Sequence, residues 1–375
     1  LKSKIPTKKW SHWKHHAHDK FFSESLEHTI TKSNEITASL DGTLTIVFIN
    51  GLFNSELSNL PDGITIKDSS NTTPWIRFLQ YLPSQEVIAL AGLYLQPRRY
   101  LVQVVKEPSS PIYIHHIVTD KKHNLTCLNM SWDISERISC KIIHNIRDIV
   151  SDHHYIINSS NELRKSASSK IDTIQALPND VNIYMHQINF LASQSDLSHA
   201  ILFSGAHAHR HYEQAQMIGE QANFTTAGLA LTALTNSHQF TSTVNHISPH
   251  TTSSQTVKSV VGDASQFDFL GRVNVNKDAQ KVDATQLNHN LLLAKSAKAF
   301  TKPELEIFAD DVRCAHGTTV GEIDKQKLLF LQMRGLDEND AKNLIVRGFC
   351  EDMMNKFHSN TLRKAIDASL KCIDI

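Results

Sequence analysis

The sequence predicts a mainly β protein whose core lies between a small mixed N-terminal region and a helical C-terminal segment. Between about residues 111 and 320, short apolar stretches recur, and serine, threonine, asparagine and turn residues separate them at intervals of roughly ten positions. Long helical patterns and convincing hairpin turns are both scarce in this region. Many short strands of this kind fit either a β-sandwich or a parallel β-helix, whose coils stack on one another, and periodicity alone favours neither.

The first 105 residues predict a mixed helical and strand domain. The segment IPTKKWSHWK at residues 5–14 is typical of an exposed, basic helix start with two aromatic side chains that need cover. Four histidines lie in or near it, at His12, His15, His16 and His18, and such a cluster near a terminus is more often solvated than metal-bound. From residue 44, apolar side chains alternate along a strand that ends at a turn signal, Asn50–Gly51. Residues 75–95 then have a helical period, which Pro83 interrupts.

The apolar period becomes helical over residues 322–375, which predicts a C-terminal helical segment. Asp324 and Asp337 are suitable N-caps for two helices, and Asn360 or Thr361 begins a third. The second helix has apolar residues at steps of mostly three or four, namely Ala341, Leu344, Ile345, Phe349, Met353 and Phe357. Three short amphipathic helices at this place can cap the β core or bind another chain.

Charge and cysteine content exclude several classes of function. Lysine and arginine together number 38, as do aspartate and glutamate, so no net field favours nucleic acid or anionic lipid. The five cysteines are an odd number without a C-x-x-C pair, which indicates a reducing, cytoplasmic environment. No apolar run reaches the roughly 18 residues of a membrane helix, and no secretory signal, G-x-x-x-x-G-K-[ST] loop or G-x-G-x-x-G motif is visible. We therefore expect neither nucleic acid nor a membrane as a partner, and no ATPase activity in this chain.

The most informative stretch reads KPELEIFADDVRCAHGTTVG. Its alternation predicts a first strand that buries Leu305, Ile307 and Ala309. A second strand follows, on which Cys314 and His316 lie two residues apart, so that the thiol and the imidazole are on the same face. A thiolate beside an imidazole suits iron or the edge of an iron-sulfur cluster. In an unrelated chain, however, an isolated cysteine is most often a small core residue.

This stretch and the LLFLQMRG that follows it resemble the SufB/SufD family of iron-sulfur cluster assembly proteins, as does TIVFINGLFNSELSNLPDGITI near the N-terminus. Within the family, the SufD branch is the better match. Gly317 stands where SufB chains usually carry an acidic residue, and the cysteine-rich N-terminal segment of SufB chains is not seen here. The resemblance implies a right-handed parallel β-helix over residues 106–321, which decides between the two β folds left open by periodicity.

The resemblance also implies a function. The chain would be a non-catalytic scaffold subunit of the SUF system that forms a heterodimer with SufB, and a transient iron-sulfur cluster would form between the two chains. In this family the histidine that matches His316 is implicated in cluster formation, so His316 and Cys314 are the expected cluster and metal ligands. The C-terminal helices would bind SufC, the ATPase of the complex. The residues expected to face SufC are Leu344, Phe349, Met353 and Phe357. The resemblance leaves open a reduced flavin in the complex and a homodimer of the isolated chain.

Ligand counting supports a site that is shared between chains. A four-iron cluster takes about four protein ligands, and Cys314 and His316 supply two at most. No other cysteine lies near them in sequence. The remaining ligands must therefore come from another chain or from residues that coil stacking brings close.

Two other groups of polar residues each have two interpretations. His207, His209 and His211 could bind zinc, but a solvent-facing row on the β surface is the favoured interpretation because no fourth ligand is near. A second set fits the SufD pattern around the last coils, and it either forms hydrogen bonds on a stacked polar surface or lines a route to the cluster site. This set comprises Gln255, Lys258, Arg272, Asn290 and Glu304.

The alternative function is that of a β-helix polysaccharide lyase or hydrolase, or a carbohydrate-binding protein. It would need carboxylates gathered on one flank of the solenoid, and the candidates are Asp263, Asp268, Asp283 and Asp310. These aspartates do not recur at one coil spacing. Aromatic residues, which usually hold sugars, are only 7% of the chain, so the cluster-assembly function is favoured.

Overall fold

The architecture is a parallel β-solenoid of about eight turns, seen in a computed structural model that describes residues 44–68, 73–83, 86–119 and 124–371. The prediction of a mainly β protein with a parallel β-helix core and a helical C-terminal segment is confirmed. The predictions for residues 5–14 and for the histidines beside them lie outside the described residues. In the described part, none of the helices has the length and apolar content that crossing a lipid bilayer requires.

Nineteen strands and five helices make up the described part of the chain. The strands are β1 (Leu44–Ile49), β2 (Leu52–Asn59), β3 (Ile64–Asp68), β4 (Tyr100–Val104), β5 (Ile112–Val118), β6 (Leu125–Ile134), β7 (Ser139–Ile149), β8 (His154–Leu163), β9 (Ser168–Ala176), β10 (Asn182–Leu191), β11 (Asp196–Ser204), β12 (Ala208–Met217), β13 (Asn223–Thr232), β14 (Ser237–His246), β15 (Thr252–Val261), β16 (Gln266–Val275), β17 (Asp283–Leu292), β18 (Lys298–Ile307) and β19 (Arg313–Glu322). The helices are α1 (Thr73–Tyr81), α2 (Val87–Leu95), α3 (Lys325–Gln332), α4 (Glu338–Met354) and α5 (Asn360–Leu370).

The strands form two sheets that face each other. Sheet A has ten strands in the order β19-β17-β15-β13-β11-β9-β7-β5-β1-β2, and sheet B has nine in the order β18-β16-β14-β12-β10-β8-β6-β4-β3. The pairs β1–β2 and β3–β4 at the N-terminal end are antiparallel, whereas the pairs between successive coils are parallel. From β4 and β5 onward, partners on successive coils are 26 to 32 residues apart, as in Asn182–Ala208 and Gln266–Lys298. Strands β1 and β5 are also parallel neighbours, but β2, β3, α1, α2 and β4 lie between them in the chain.

Side chains alternate between the interior of the solenoid and its outer faces, as the period of two requires. In the N-terminal coils the interior is largely apolar, and a single cluster includes Phe48, Val102, Leu128 and Trp132, all fully buried. The buried His116 ring lies within this interior and is bonded to His144. Burial of one such apolar side chain stabilises the fold by about 1.5–3 kcal/mol. The stacked coils therefore form one continuous core instead of a series of small ones.

Helices α1 and α2 cover the outer face of sheet B. Trp75 and Phe78 of α1 pack with Ile188 and Phe190 of β10. The chain leaves α1 at Tyr81 and resumes a helix at Val87, so the predicted interruption around Pro83 is confirmed. Strand β1 also ends as predicted, at a turn in which Asn50 and Gly51 both have positive φ angles, of 49° and 76°.

Helices α4 and α5 cover the outer face of sheet A. Val346 and Cys350 of α4 lie in one apolar cluster with Leu229 and Leu231 of β13. Asp324 and Asp337 are the N-caps of α3 and α4, as predicted. The Asp324 side chain accepts two backbone N–H groups of the first turn, and the Asp337 side chain accepts one. Ser359 caps α5, one residue before the predicted start.

Polar contacts fix the turn between α4 and α5 to sheet A. The Asp172 carboxylate accepts a hydrogen bond from the His358 backbone N–H, and the His358 Nδ1 lies 2.8 Å from the same oxygen. The His358 Nε2 lies 2.9 Å from the Ser198 hydroxyl, and the Lys141 ammonium donates to the His358 carbonyl. The Lys258 ammonium donates to a backbone carbonyl of α4 at 2.8 Å. The C-terminal helices are therefore held to the solenoid at several points.

Candidate functional site

The C-terminal end of the solenoid is open. Strands β18 and β19 are the last strands of their sheets, and no described strand pairs with their outer edges. Residues that face inward at this end are exposed, although their neighbours one coil earlier are buried. Val275 is fully buried, for example, whereas its register partner Ile307 is 39% exposed, and Val320 of β19 is 47% exposed. The last coil therefore lacks the layer of side chains that would cover it.

Cys314 and His316 lie on β19 at this open end. Their register partners on β17, Ala284 and Gln286, are both buried inside the solenoid. The alternation along β19 therefore directs the thiol and the imidazole toward the interior, on one face. Cys314 packs beside an apolar cluster and is partly buried, while His316 is exposed because no further coil covers it.

The environment of Cys314 favours the thiol over the thiolate. Burial raises the pKa of Cys314, and the negative charge of Asp283 raises it further. Metal binding by this cysteine would thus release a proton. In the described part of the chain, no group of three histidine, cysteine, aspartate or glutamate side chains could hold a metal ion. Cys314 and His316 therefore form an incomplete ligand set.

The polar set predicted around the last coils is divided between the interior and the outside. Gln255 and Asn290 are buried on inward-facing positions. Arg272 and Glu304 form an ion pair at 2.6 Å on the outer face of sheet B. The Lys258 ammonium lies 4.6 Å from the centre of the Phe349 ring, between sheet A and α4. The interpretation that all five residues line one route is therefore wrong.

The H-x-H-x-H row is not solvent-facing, so the favoured interpretation of it was wrong. His207 is exposed and precedes β12, but His209 and His211 are buried inside the solenoid. The His211 ring packs against Phe203 and Phe240, with ring centres 5.8 and 5.4 Å apart. Burial lowers the pKa of His211 well below its usual value, so this imidazole is neutral at neutral pH.

The four aspartates of the carbohydrate alternative do not gather on one flank. Asp268 lies on β16 of sheet B, and Asp283 on β17 of sheet A. Asp263 is in the turn that leads from sheet A to sheet B, whereas Asp310 is in a turn that leads back. A lyase or hydrolase with this carboxylate set therefore has no geometric support.

Asp268 predicts a pH dependence of stability. Burial raises its pKa from 3.8 to about 7, although a hydrogen bond from Gln266 opposes the shift. The folded chain thus holds this proton more tightly than the unfolded one, so the carboxyl destabilises the fold above pH 7 and this cost disappears as the pH falls below about 4. We expect Asp268→Asn to raise the melting temperature at pH 8, by a free energy on the order of a few kcal/mol, with a difference that shrinks toward pH 4. Equal melting temperatures at pH 8 would count against this.

The four residues predicted to face an ATPase differ in their exposure to solvent. Leu344 is 51% exposed and Phe349 is half-buried, but Met353 and Phe357 are buried against sheet A. Other apolar residues are exposed nearby on α3, a helix without a buried residue. We call this exposed group the α3–α4 patch, and it comprises Leu329, Phe330, Met333 and Leu344. The sequence carried a signal for it, because the apolar residues of α3 do not fall on one side.

Comparison with known proteins shows the family. A model of the SufBD core domain of the SUF system for FeS cluster assembly matches residues 129–349, which is more than half of the chain. The chain is 25% identical over 386 residues to the iron-sulfur cluster assembly protein SufD of Escherichia coli (strain K12), covering 99% of this chain and 89% of that protein. It is 28% identical over 363 residues to an iron-sulfur cluster assembly SufBD family protein of Synechocystis, covering 87% and 77%.

These matches agree with the solenoid fold and extend over both the open end and most of α4. The full-length match to SufD of Escherichia coli also agrees with the SufD-like features of the last strands. The chain belongs to the SufB/SufD family of iron-sulfur cluster assembly proteins, and within that family it is SufD-like.

Proposed function

We propose that the chain is a non-catalytic scaffold subunit of a cytoplasmic SUF complex. It pairs with a SufB-type subunit through the open end of the solenoid and binds a SufC-type ATPase through its C-terminal helices. The observation that carries the proposal is an uncapped last coil that presents an exposed imidazole, His316, beside the partly buried thiol of Cys314. The iron-sulfur cluster is the cargo of this site and is held only in transit.

The open end offers two kinds of interaction to a second chain. The free edges of β18 and β19 carry backbone N–H and C=O groups that another strand can bind, which is how many proteins extend a sheet across an interface. Another coil would also bury the exposed apolar surface of Ile307 and Val320. Each Å² of this surface that is buried stabilises the complex by roughly 25 cal/mol. A subunit with the same coil geometry satisfies both requirements.

The partner would complete the ligand set. This chain supplies an imidazole and a thiol, and a four-iron cluster needs about two more ligands. A SufB-type cysteine opposite His316 is the partner ligand that the family resemblance implies. Because burial raises the pKa of Cys314, His316 is the better ligand at the start of assembly, and Cys314 joins when iron displaces its proton.

The α3–α4 patch is the proposed ATPase surface. Leu329, Phe330 and Met333 are each more than half exposed, and helix α3 contains no fully buried residue. The Arg334 guanidinium lies 4.2 Å from the centre of the Phe330 ring, which adds a positive charge to the patch. Buried Met353 and Phe357 instead anchor α4 to the solenoid. ATP-driven closure of two ATPase subunits would then pull on α4, and the contacts of Lys258 and His358 would pass that strain to sheet A.

Replacing Phe330 and Met333 together with aspartate tests the ATPase surface. Both side chains are exposed, so the fold should keep its melting temperature within a few degrees. The ATPase should no longer co-purify with the chain, because two charges would be desolvated in the interface. Tyr94→Asp is a matched control, since Tyr94 is a 76% exposed aromatic on α2. Normal ATPase capture by the double variant would show that the ATPase binds a different surface of the chain.

Reconstitution tests the function as a whole. The chain is co-expressed with the SufB-type and SufC-type proteins of its host and purified through its own tag, and iron and sulfide are added without oxygen. We expect one complex with all three proteins, which assembles a cluster and transfers it to an apo-ferredoxin. Equal cluster assembly by the other two proteins alone would contradict a ligand role for this chain.

A further inference from the structure

A column of polar side chains runs along the axis of the solenoid to the open end. On sheet A, residues in register on successive strands form one wall, which consists of His199, Thr226, Gln255 and Gln286 and ends at His316. On sheet B the facing wall consists of Glu213, Ser242 and Gly271. All of these residues except His316 are buried. Buried polar side chains continue beyond His199 toward the N-terminus, where the Thr173 hydroxyl lies 2.9 Å from the His199 Nε2.

Two contacts show that the walls face each other. At the inner end, the His199 Nδ1 lies 2.6 Å from a carboxylate oxygen of Glu213. Nearer the open end, a Cβ atom placed on Gly271 would lie 2.4 Å from the Gln286 amide. Glycine therefore leaves room for the Gln286 side chain at the point where the column approaches His316.

Most polar atoms of this column have no hydrogen-bond partner within the described chain. They are the Thr226 and Ser242 hydroxyls, both amide atoms of Gln255 and of Gln286, and the second carboxylate oxygen of Glu213. A buried amide or hydroxyl without a partner costs about 1–3 kcal/mol, and native proteins avoid such groups or satisfy them with internal water. Unsatisfied groups on consecutive coils lie about 4.8 Å apart. A water molecule between two such groups can form hydrogen bonds with both, so the column can hold a file of water molecules.

We propose that the axial polar column holds a file of water molecules that extends from the His199–Glu213 pair to the open end of the solenoid. Each water molecule forms hydrogen bonds with the unpartnered amide, hydroxyl and carboxylate atoms of the two walls and with its neighbours in the file. The ligand is water, and the inference concerns the isolated chain, so it does not depend on the identity of the partner subunit.

Hydrogen exchange at the histidine Cε1 position, followed by mass spectrometry in D₂O, tests whether water reaches the inner end. We expect His199 to exchange faster than His246, because both rings are buried with both nitrogens hydrogen-bonded, but only His199 lies in the column. Gly271→Ala should slow exchange at His199 about tenfold, because its Cβ would push the Gln286 amide into the column. Gly228→Ala is the matched control, since its Cβ would meet neighbours only at ordinary distances of 3.5 Å or more. His199 exchange as slow as that of His246, or unaffected by Gly271→Ala, would overturn the proposal.

A stability measurement gives an independent test. In a dry interior, replacing Gln255 or Gln286 with leucine removes an unsatisfied amide, so the melting temperature should rise. In a hydrated column the same changes remove hydrogen bonds to water, and the melting temperature should stay the same or fall. A rise in both single variants would overturn the proposal even if His199 exchanges.

Discussion

Replacing His316 with alanine is expected to abolish iron-sulfur cluster formation in cells, while the chain still folds and joins its complex. His316 is exposed on the last strand, so its loss should change the free energy of unfolding by no more than about 0.5 kcal/mol. The shared site, however, loses a ligand that no described neighbour can replace, because no three-residue metal group is present around it. The measurement is the activity of an iron-sulfur enzyme in a host that depends on this gene, together with iron and acid-labile sulfide in the purified complex.

His289→Ala is the matched control for this experiment. His289 lies on β17 beside β19, but it faces outward and its Nδ1 is 2.9 Å from the Thr319 hydroxyl. Its replacement should leave enzyme activity close to the wild-type level, whereas His316→Ala should fall to the level of the gene deletion. Normal maturation of iron-sulfur enzymes with His316→Ala would remove this residue from the working site.

Replacing Ile307 and Val320 together with aspartate should prevent pairing with the SufB-type subunit. Both residues face inward on the uncovered coil, so the isolated chain can solvate the new carboxylates at the open end. A partner coil would have to bury them against apolar side chains, at a cost on the order of several kcal/mol. Tag purification should therefore recover this variant without the SufB-type subunit.

The ATPase provides the internal control for this pair of substitutions. The α3–α4 patch consists of other residues, so the Ile307→Asp, Val320→Asp chain should still capture the ATPase. The Phe330→Asp, Met333→Asp variant should lose the ATPase but still pair with the SufB-type subunit. If both variants lose both partners, the two surfaces are not independent and the proposed division between them fails.

Much of the fold could be predicted from strand alternation and helix caps. The strand at residues 44–49, the Pro83 interruption and the Asp324 and Asp337 caps follow local rules that the structure obeys. The predicted burial of Leu305, Ile307 and Ala309 on one strand is only partly right, because β18 ends at Ile307, which is 39% exposed on the uncovered coil. The coil repeat could not be predicted, because neither glycine nor asparagine marks the left-handed position in the corners between sheet B and sheet A. One left-handed residue occurs in six successive corners, and none is glycine or asparagine; these are Arg137, Ser166, Gln194, Gln221, His250 and Lys281.

Strand alternation predicted that Cys314 and His316 share a face, but it also led to wrong faces for other residues. A period of two places Cys314 and His316 on one face, but it does not say which face is the interior. Helices α4 and α5 cover the outside of sheet A, so outward residues such as Leu229 and Leu231 are as apolar as inward ones. Conversely, inward positions carry His209, His211 and Gln255. Polarity alone therefore could not assign these faces, nor foresee that Met353 and Phe357 anchor α4 to the solenoid.

The central claim is that a second subunit closes the open end and brings its own ligand to His316. An electron cryomicroscopy structure of the complex purified through this chain tests that claim most directly. We predict strands of the SufB-type subunit paired with the edges of β18 and β19, and a cysteine of that subunit facing the His316 imidazole. A complex in which both edges stay in solvent, with the SufB-type subunit bound elsewhere, would contradict it.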